Sequence, residues 1–410
     1  MPFQFSEGGL EVQRQVRHFM DEFVYPNEER YWTELEEVGL HGYPPVLDKL
    51  KSAALQRGLW NLFLPHLSEE HPGTPLSNVD YAPVSEMLGR VAFAPEVLNC
   101  NAPDTGNMEV LHEFASDRVK EEWLVPLLAG EIRSAFSMTE PDTASSDATN
   151  MQLTIERDGD HYVLNGRKWF SSGAAAERCK VLIVMGITDP GADPHRRHSM
   201  VVVPKDAPGV SIGLEPNVFG YDERGGHPEI VYQDVRVPVD NLLGEEGGGF
   251  AIAQARLGPG RVHHCMRTIG VAERALELMV ARSLERTTFG SSLAHKGLIQ
   301  DWIAESRIEI DMARDYVLST AHLMDTEGNR SAAVQIAGIK VAVPSMALKV
   351  IDRAIQVHGA AGVTQFTPLA HMYAGIRTLR IADGPDEVHK MTIARREIRK
   401  LLPGFRMHTA

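Results

Sequence analysis

The segment Ile381-Ala382-Asp383-Gly384-Pro385-Asp386-Glu387 carries three carboxylates in three settings. Gly384-Pro385 starts a helix well, because proline at the first helical position gives up no donor that the helix needs. Asp386 and Glu387 then fall in the first turn, where the helix macrodipole favours acids. Asp383 stands just outside that N-terminus, after the apolar Ile381 and Ala382. It can serve there as a helix cap or as a proton acceptor. In Lys168-Trp169-Phe170-Ser171-Ser172-Gly173, a period of two puts Trp169 and Ser171 on one face of a strand. A core tryptophan beside an edge serine would give the same pattern. Arg286 offers a planar guanidinium whose paired N–H groups match a phosphate. The run FSMTEPDTASSDATN, residues 136–150, is a Ser/Thr-rich turn with aspartates placed to cap it.

Elements of three textures must position these groups. Residues 1–133 read as helical, as in GLEVQRQVRHFMDEF and PVLDKLKSAALQRGLW. Residues 134–245 read as strands: MQLTIER and HYVLNG flank the hairpin turn Asp158-Gly159-Asp160, and KVLIVMGIT, HSMVVVP and EIVYQDVRVP follow. Residues 246–410 return to helical periodicity, with Ile269, Ala272, Leu276, Met279 and Leu284 on one predicted stripe and Ile303, Ile310, Ala313 and Val317 on another. A further helix is predicted to end at His358-Gly359, with glycine as its cap. Pro344 inside that helix should kink it or break it near Ala342-Val343. Helices, then strands, then helices describe an α+β fold rather than alternating βαβ units.

The bulk properties exclude several classes. The chain has 410 residues, 43% of them hydrophobic, which is ample for a core in two or three packed regions. A net charge of −14 repels polyanions, so nucleic acid and anionic membrane are not expected partners. Cys100, Cys179 and Cys265 are far apart, with neither metal-ligand spacing nor a disulfide framework, which suits a reducing compartment. MPFQFSEGGLEVQRQ lacks a signal or transit pattern, and FRMHTA lacks an address or prenylation signal; a cytoplasmic chain is expected, or a mitochondrial-matrix one if a transit peptide precedes it. No run of eighteen apolar residues is read, so no membrane span is expected. P-loop, HExxH and GxSxG motifs are missing, and Gly247-Gly248-Gly249 reads as a turn before a helix rather than as a dinucleotide loop. His263 and His264, adjacent on a helix, point different ways and make a poor metal pair, so no metal is expected.

Seven stretches in order then resemble the acyl-CoA dehydrogenase family: APDTGNMEVL, FSMTEPDTASSDATN, GRKWFSSG, LGPGRVHHCMRTIG, ERTTFG, QVHGAAG and ADGPDEVHKMTIARREI. The resemblance runs nearly end to end and is greatest to the branch of family members ten and eleven. It implies an N-terminal helical domain, a central β-barrel or sheet domain and a C-terminal four-helix bundle. It also implies FAD held by the β-domain and helical domains, in a homodimer or homotetramer whose neighbouring subunit completes the flavin site. The activity implied is α,β-dehydrogenation of an acyl-CoA to the trans-2-enoyl-CoA. A base takes the α-proton, flavin N5 accepts the β-hydride, and electrons pass to an electron-transfer flavoprotein. Readings within the same fold are an oxidase of the nitroalkane- or acyl-CoA-oxidase kind, or a flavin-binding partner protein without activity.

Carried over residue by residue, the resemblance makes Asp383 the base. An aspartate stands where many members have glutamate, shortening the reach by about 1.5 Å, and this branch shares it. Gly260 occupies the place of the base in some relatives, so Asp383 is the only matched acid; burial against flavin and acyl chain should raise its basicity. Phe136, Met138, Thr139, Ser146, Trp169 and Ser171 match flavin contacts on the β-domain, with Ser146 also near the substrate. Asp142 and Ala144 replace glycines of the family loop, which holds one extra residue here. Arg286 and Phe289 match the family's RxxFG at the neighbour's pyrophosphate. Gln356, Gly359 and Ala360 match its adenosine contact, Ala360 replacing a frequent glycine. Pro385 and Glu387 complete the cofactor set. Arg261 and Gly384 match acyl-CoA contacts. Gly258 stands where some members carry an acid toward the CoA adenosine, and Arg267 and Lys296 are further basic groups for the CoA phosphates.

Overall fold

A computed structural model describes residues 4–65, 67–221 and 223–405. The terminal residues read for address signals, MPF and RMHTA, lie outside the described residues. The chain divides by contact rather than by order along the sequence. One unit comprises 21–75 and 95–260, the other 1–20, 76–94 and 261–410. The helix Gly249–Glu285 contains the boundary between them.

The first unit is built on a mixed sheet. Its strands are β1 (Arg133–Ser137), β2 (Thr154–Asp158), β3 (His161–Lys168), β4 (Cys179–Ile187), β5 (His198–Pro204), β6 (Val210–Ile212), β7 (Ile230–Pro238) and β8 (Leu242–Leu243). Their order is β6-β7-β3-β2-β4-β5-β8, and β1 pairs in parallel with β4. The predicted hairpin forms: Asp158 pairs with His161, and Gly159 at φ 65° makes the reversal that a side chain would resist. One face buries Leu164, Leu182, Val184, Val201, Val203 and Val235. Alternate β-branched residues pack well on such a pleated surface.

The second unit is helical. Its long elements are Gly297–Glu327, Ala333–His358, Leu369–Thr378, Asp386–Leu401 and the C-terminal part of Gly249–Glu285. Glu7–Phe19 and Asn78–Gly89 join them through specific bonds. Asp80 accepts from Ser6 N, and Asp325 accepts from Asn78 N and Val79 N, satisfying donors that the start of a helix leaves open. Ile269, Ala272, Leu276 and Met279 are buried as predicted, but Leu284 is 65% exposed. The stripe continues instead at the buried Ser283, four residues after Met279, whereas a fifth residue turns away from the core.

One expectation about Ala333–His358 is corrected in part: the helix is not broken. The helix runs unbroken past Pro344, because a lost backbone bond, about 3 kcal/mol, is offset by burial of Val343, Met346, Ala347, Val350 and Ile351. The same stretch, extended to Val363, is long enough to cross a membrane, and an 18-residue window within it has mean hydropathy 1.5. However, 61% of that window is buried inside the protein, and the helix carries the buried Lys340, as a core helix does. It ends where predicted, with Gly359 at φ 64°.

Candidate active site

At one end of the sheet, the chain leaving β1 is tied to the chain leaving β3. Trp169 N donates to Thr139 O at 2.9 Å, and Thr139 Oγ1 donates to Trp169 O at 2.8 Å. Behind them Lys168 Nζ donates to Met138 O at 2.7 Å and to Glu140 Oε1 at 2.8 Å. Glu140 also accepts from Gln152 N and Leu153 N. Burial pushes the Lys168 ammonium down to about 8, while the Glu140 carboxylate opposes the shift. This buried pair fixes the root of the Ser/Thr-rich loop, on which Ser146 is exposed.

Trp169 and Ser171 do not share a strand face. β3 ends at Lys168 and Phe170 takes φ 50°, which breaks the alternation. The Trp169 and Phe170 rings therefore stand 37% and 43% exposed, edge to face at 5.0 Å, while Ser171 is fully buried. Its Oγ lies 3.1 Å from Ser137 Oγ, which accepts from Tyr232 OH. Phe136 is held from one side by the Arg256 guanidinium, 3.9 Å from its ring. Arg256 Nε donates to Asn107 Oδ1, and Asn107 Nδ2 to Ser134 Oγ. The sequence singles out neither Arg256 nor Asn107, because both act on Phe136 only through the fold.

In the helical unit, Asp383 sits at φ 54° and Gly384 at φ 100°. The last helix begins at Asp386, one residue later than predicted, with Pro385 at its N-cap and no cap bond from that residue's side chain. Asp383 thus stands two places before the N-cap position. Its unusual backbone is clamped: Arg261 Nε donates to Asp383 O at 2.8 Å, Asp386 N to Arg380 O at 3.1 Å, and Arg380 Nε to Asp386 Oδ2 at 2.7 Å. Lys340 Nζ donates to Leu379 O. Burial lowers the pKa of Arg261, opposed by the Asp383 charge, and lowers that of Lys340 as well. The Asp383 carboxylate, 21% exposed, lies 3.4 Å from His264 Nε2. His389 packs beside Gly384, and burial pushes its imidazole down to about 4, Arg261 and Lys340 adding to the effect. Asp386 is buried and paired, and Glu387 is exposed.

The remaining predicted residues of this unit fall in two further places. Thr287–Thr288 and Ser291–Ser292 form a hairpin whose tip is Phe289 and Gly290, both at positive φ. Phe289 is 97% exposed, and Arg286, just before the hairpin, is exposed too. Lys296 Nζ is taken up by Ser291 Oγ, and Arg267 Nη2 lies 3.3 Å from His264 Nδ1. Gln356 lines a cavity of about 500 Å³ with Trp302, Lys349, Asp352 and Arg353. Gly359 and Ala360, just beyond, are exposed.

These features suit a flavin dinucleotide. A flat heterocycle needs uncovered rings and fixed backbone groups, as at Trp169, Phe170 and Thr139. A pyrophosphate needs a guanidinium such as Arg286. An adenosine needs a cleft with polar lining, as at Gln356.

Family profiles described as Acyl-CoA dehydrogenase N-terminal, middle and C-terminal domains match residues 6–131, 135–235 and 247–398. A probable acyl-CoA dehydrogenase, FadE2, of Mycobacterium tuberculosis is 54% identical over 401 residues, 97% of each chain. Acyl-CoA dehydrogenase family member 11 of Gallus gallus is 55% identical over 406 residues, 97% of this chain; the chain spans 51% of that protein's length. The solved structure of a putative acyl-CoA dehydrogenase from Mycobacterium abscessus superposes with a TM-score of 0.93 at 50% identity, covering 97% of this chain and 100% of that one. With three matching domains in order and half or more of its residues shared with relatives over nearly its whole length, the chain belongs to the acyl-CoA dehydrogenase family of FAD-binding oxidoreductases.

Proposed function

We propose that this protein dehydrogenates an acyl-CoA thioester between its α and β carbons, with Asp383 as the base. The observation that carries the reading is the presentation of Asp383. Its backbone is held by Arg261, and its neighbour Asp386 is committed to Arg380. The helix that follows has Pro385 at its N-cap. A carboxylate held on a clamped backbone is positioned to take a proton.

Bound FAD supplies the hydride acceptor for the β-carbon. The chain's own residues do the rest. Phe136, Met138, Thr139 and Trp169 seat the ring system, and Ser146 reaches both ring and substrate. Ser171 supports that seat through Ser137 and Tyr232 rather than by an exposed hydroxyl. Arg286, Phe289, Gln356, Gly359 and Ala360 serve the pyrophosphate and adenosine of a neighbouring subunit's cofactor. Pro385 and Glu387 complete the cofactor set, and Gly384 borders the thioester. Electrons leave to an electron-transfer flavoprotein.

The test is anaerobic bleaching of the bound flavin by a panel of acyl-CoA thioesters. At least one should bleach it. Asp383→Asn should bind the same thioester with little change in dissociation constant, yet reduce its flavin ~10²–10⁴-fold more slowly or worse. If no acyl-CoA bleaches the wild type, the assignment falls. Oxygen consumption on substrate alone would make the protein an oxidase instead.

A further inference from the structure

Asp383 has a neighbour that motif spacing does not announce. His264 Nε2 lies 3.4 Å from Asp383 Oδ2, and the two side chains are 24% and 21% exposed. On the other side of the imidazole, Arg267 Nη2 lies 3.3 Å from His264 Nδ1. A guanidinium can only donate, so His264 Nδ1 must be the acceptor of that contact. A neutral imidazole has one N–H, which then resides on Nε2 and faces the carboxylate. Arg267 sits at a close crossing: its carbonyl oxygen lies 2.1 Å from where a Cβ on Gly89 would stand. Thr268, the next residue, donates its hydroxyl to His264 O at 2.7 Å, which secures this turn of the helix.

We propose that Arg267, His264 and Asp383 form a relay in which Arg267 sets the tautomer of His264, and the Nε2–H of His264 orients the Asp383 carboxylate and holds its negative charge. The inference rests on the reading of Asp383 as the base. His264 is a positioning residue in it. Nε2 already bears a hydrogen, so the relay carries no proton away from Asp383; it fixes the rotamer and the charge with which Asp383 meets the α-proton.

Several charged and titratable groups surround His264. From its own helix the charged and titratable neighbours are Arg261, His263 and Arg267. Lys340 comes from Ala333–His358, and Asp386 and His389 come from the last helix. Burial holds His263 and His389 uncharged down to about 3 and about 4. Asp386 is occupied by Arg380, and the Arg261 Nε goes to the Asp383 backbone rather than to its carboxylate. Neither histidine nor Asp386 therefore supplies the donor that His264 supplies.

The experiment measures anaerobic flavin reduction by a bleaching acyl-CoA against pH, in the FAD-loaded enzyme and in its His264→Ala, His264→Gln and Asp383→Asn variants. A hydrogen bond to a charged group is worth ~1.5–3 kcal/mol, or ~1–2 units on the pH axis. His264→Ala should move the acid limb of the profile upward by about that much. His264→Gln, which keeps an N–H near the place of Nε2, should restore the limb. A second readout is independent of turnover: in thermal unfolding at pH 7, His264→Ala and Asp383→Asn should be non-additive. If Asp383→Asn is inactive, the limb stays put in His264→Ala and the two substitutions add, the relay is wrong and the base reading stands. If Asp383→Asn reduces flavin at the wild-type rate, both fall. Flavin content and circular dichroism of each variant report whether it has folded.

Discussion

Asp383 shows how much a single residue owes to partners remote in sequence. Its place before a helix was legible, and so was its resemblance to a family base. Its backbone at φ 54° was not, because an aspartate ahead of Gly-Pro reads as a cap whatever holds it. The difference comes from Arg261, 122 positions away, which takes its carbonyl. Adjacent His263 and His264 likewise look alike in the sequence, yet burial empties His263 of charge while His264 faces Asp383. At Gly384 the backbone is at φ 100°, and a Cβ would stand 3.0 Å from His389 Nε2. Gly384→Ala is thus expected to cost ~1–3 kcal/mol from backbone strain. Chemical unfolding measures it, and an unchanged midpoint would mean that the turn relaxes freely. Because Asp383 shares the turn, flavin reduction should slow in the same variant.

Among the elements, periodicity read the helices and turn chemistry read the hairpin at Gly159, because both signals are local. It misplaced Leu284 by one residue, since an apolar side chain five positions after Met279 has left the stripe. It put Trp169 and Ser171 on one face because nothing in the composition marks β3 as ending at Lys168. Close helix crossings are equally hidden. A Cβ on Gly270 would stand 1.8 Å from Glu86 O, and one on Gly89 would stand 2.1 Å from Arg267 O. The two helices meet through backbone, with no room for a methyl group. Gly270→Ala and Gly89→Ala should each destabilise the protein by on the order of 3 kcal/mol, as overpacking of a rigid contact does. Gly89→Ala should also disturb the Arg267–His264 contact. Thermal melts together with flavin reduction rates separate the two effects; a Gly89→Ala protein of wild-type stability would show that the crossing has slack.

For the whole molecule, buried neutral histidines set a response to acid. His263 is buried against the Tyr81 ring, 5.1 Å between centroids, and His389 is buried beside Gly384. Their folded values, about 3 and about 4, lie below the ordinary 6.5. The unfolded chain then binds more protons than the folded one below pH 6.5, so stability falls as pH drops from there toward 4. For His389 the loss is on the order of 3 kcal/mol. Denaturant midpoints of wild type and His389→Gln should therefore converge as the pH falls from 7 to 4. A constant difference between them would refute the assignment. Assembly belongs to this scale too. Phe289 at 97% exposure and Phe366 at 80% present large rings to solvent. Sedimentation should find at least a dimer, and Arg286→Ala should lose FAD and weaken association together. A monomer that keeps FAD on dilution would exclude a shared cofactor site.

The grouping of 1–20 and 76–94 with 261–410 has a consequence for how the chain is made. Ribosomes deliver residues in order, at ~5–20 per second, so the first stretches wait roughly 15–60 s for the helices that cover them. During that interval Glu7–Phe19 and Asn78–Gly89 have only each other to pack on, while the helices of 261–410 that complete their unit are still missing. Residues 21–75 and 95–260 meet their partners sooner and can close around the sheet while synthesis continues. The nascent protein therefore carries two sticky segments through most of its birth, and slowing translation after residue 94 should raise its demand for chaperones.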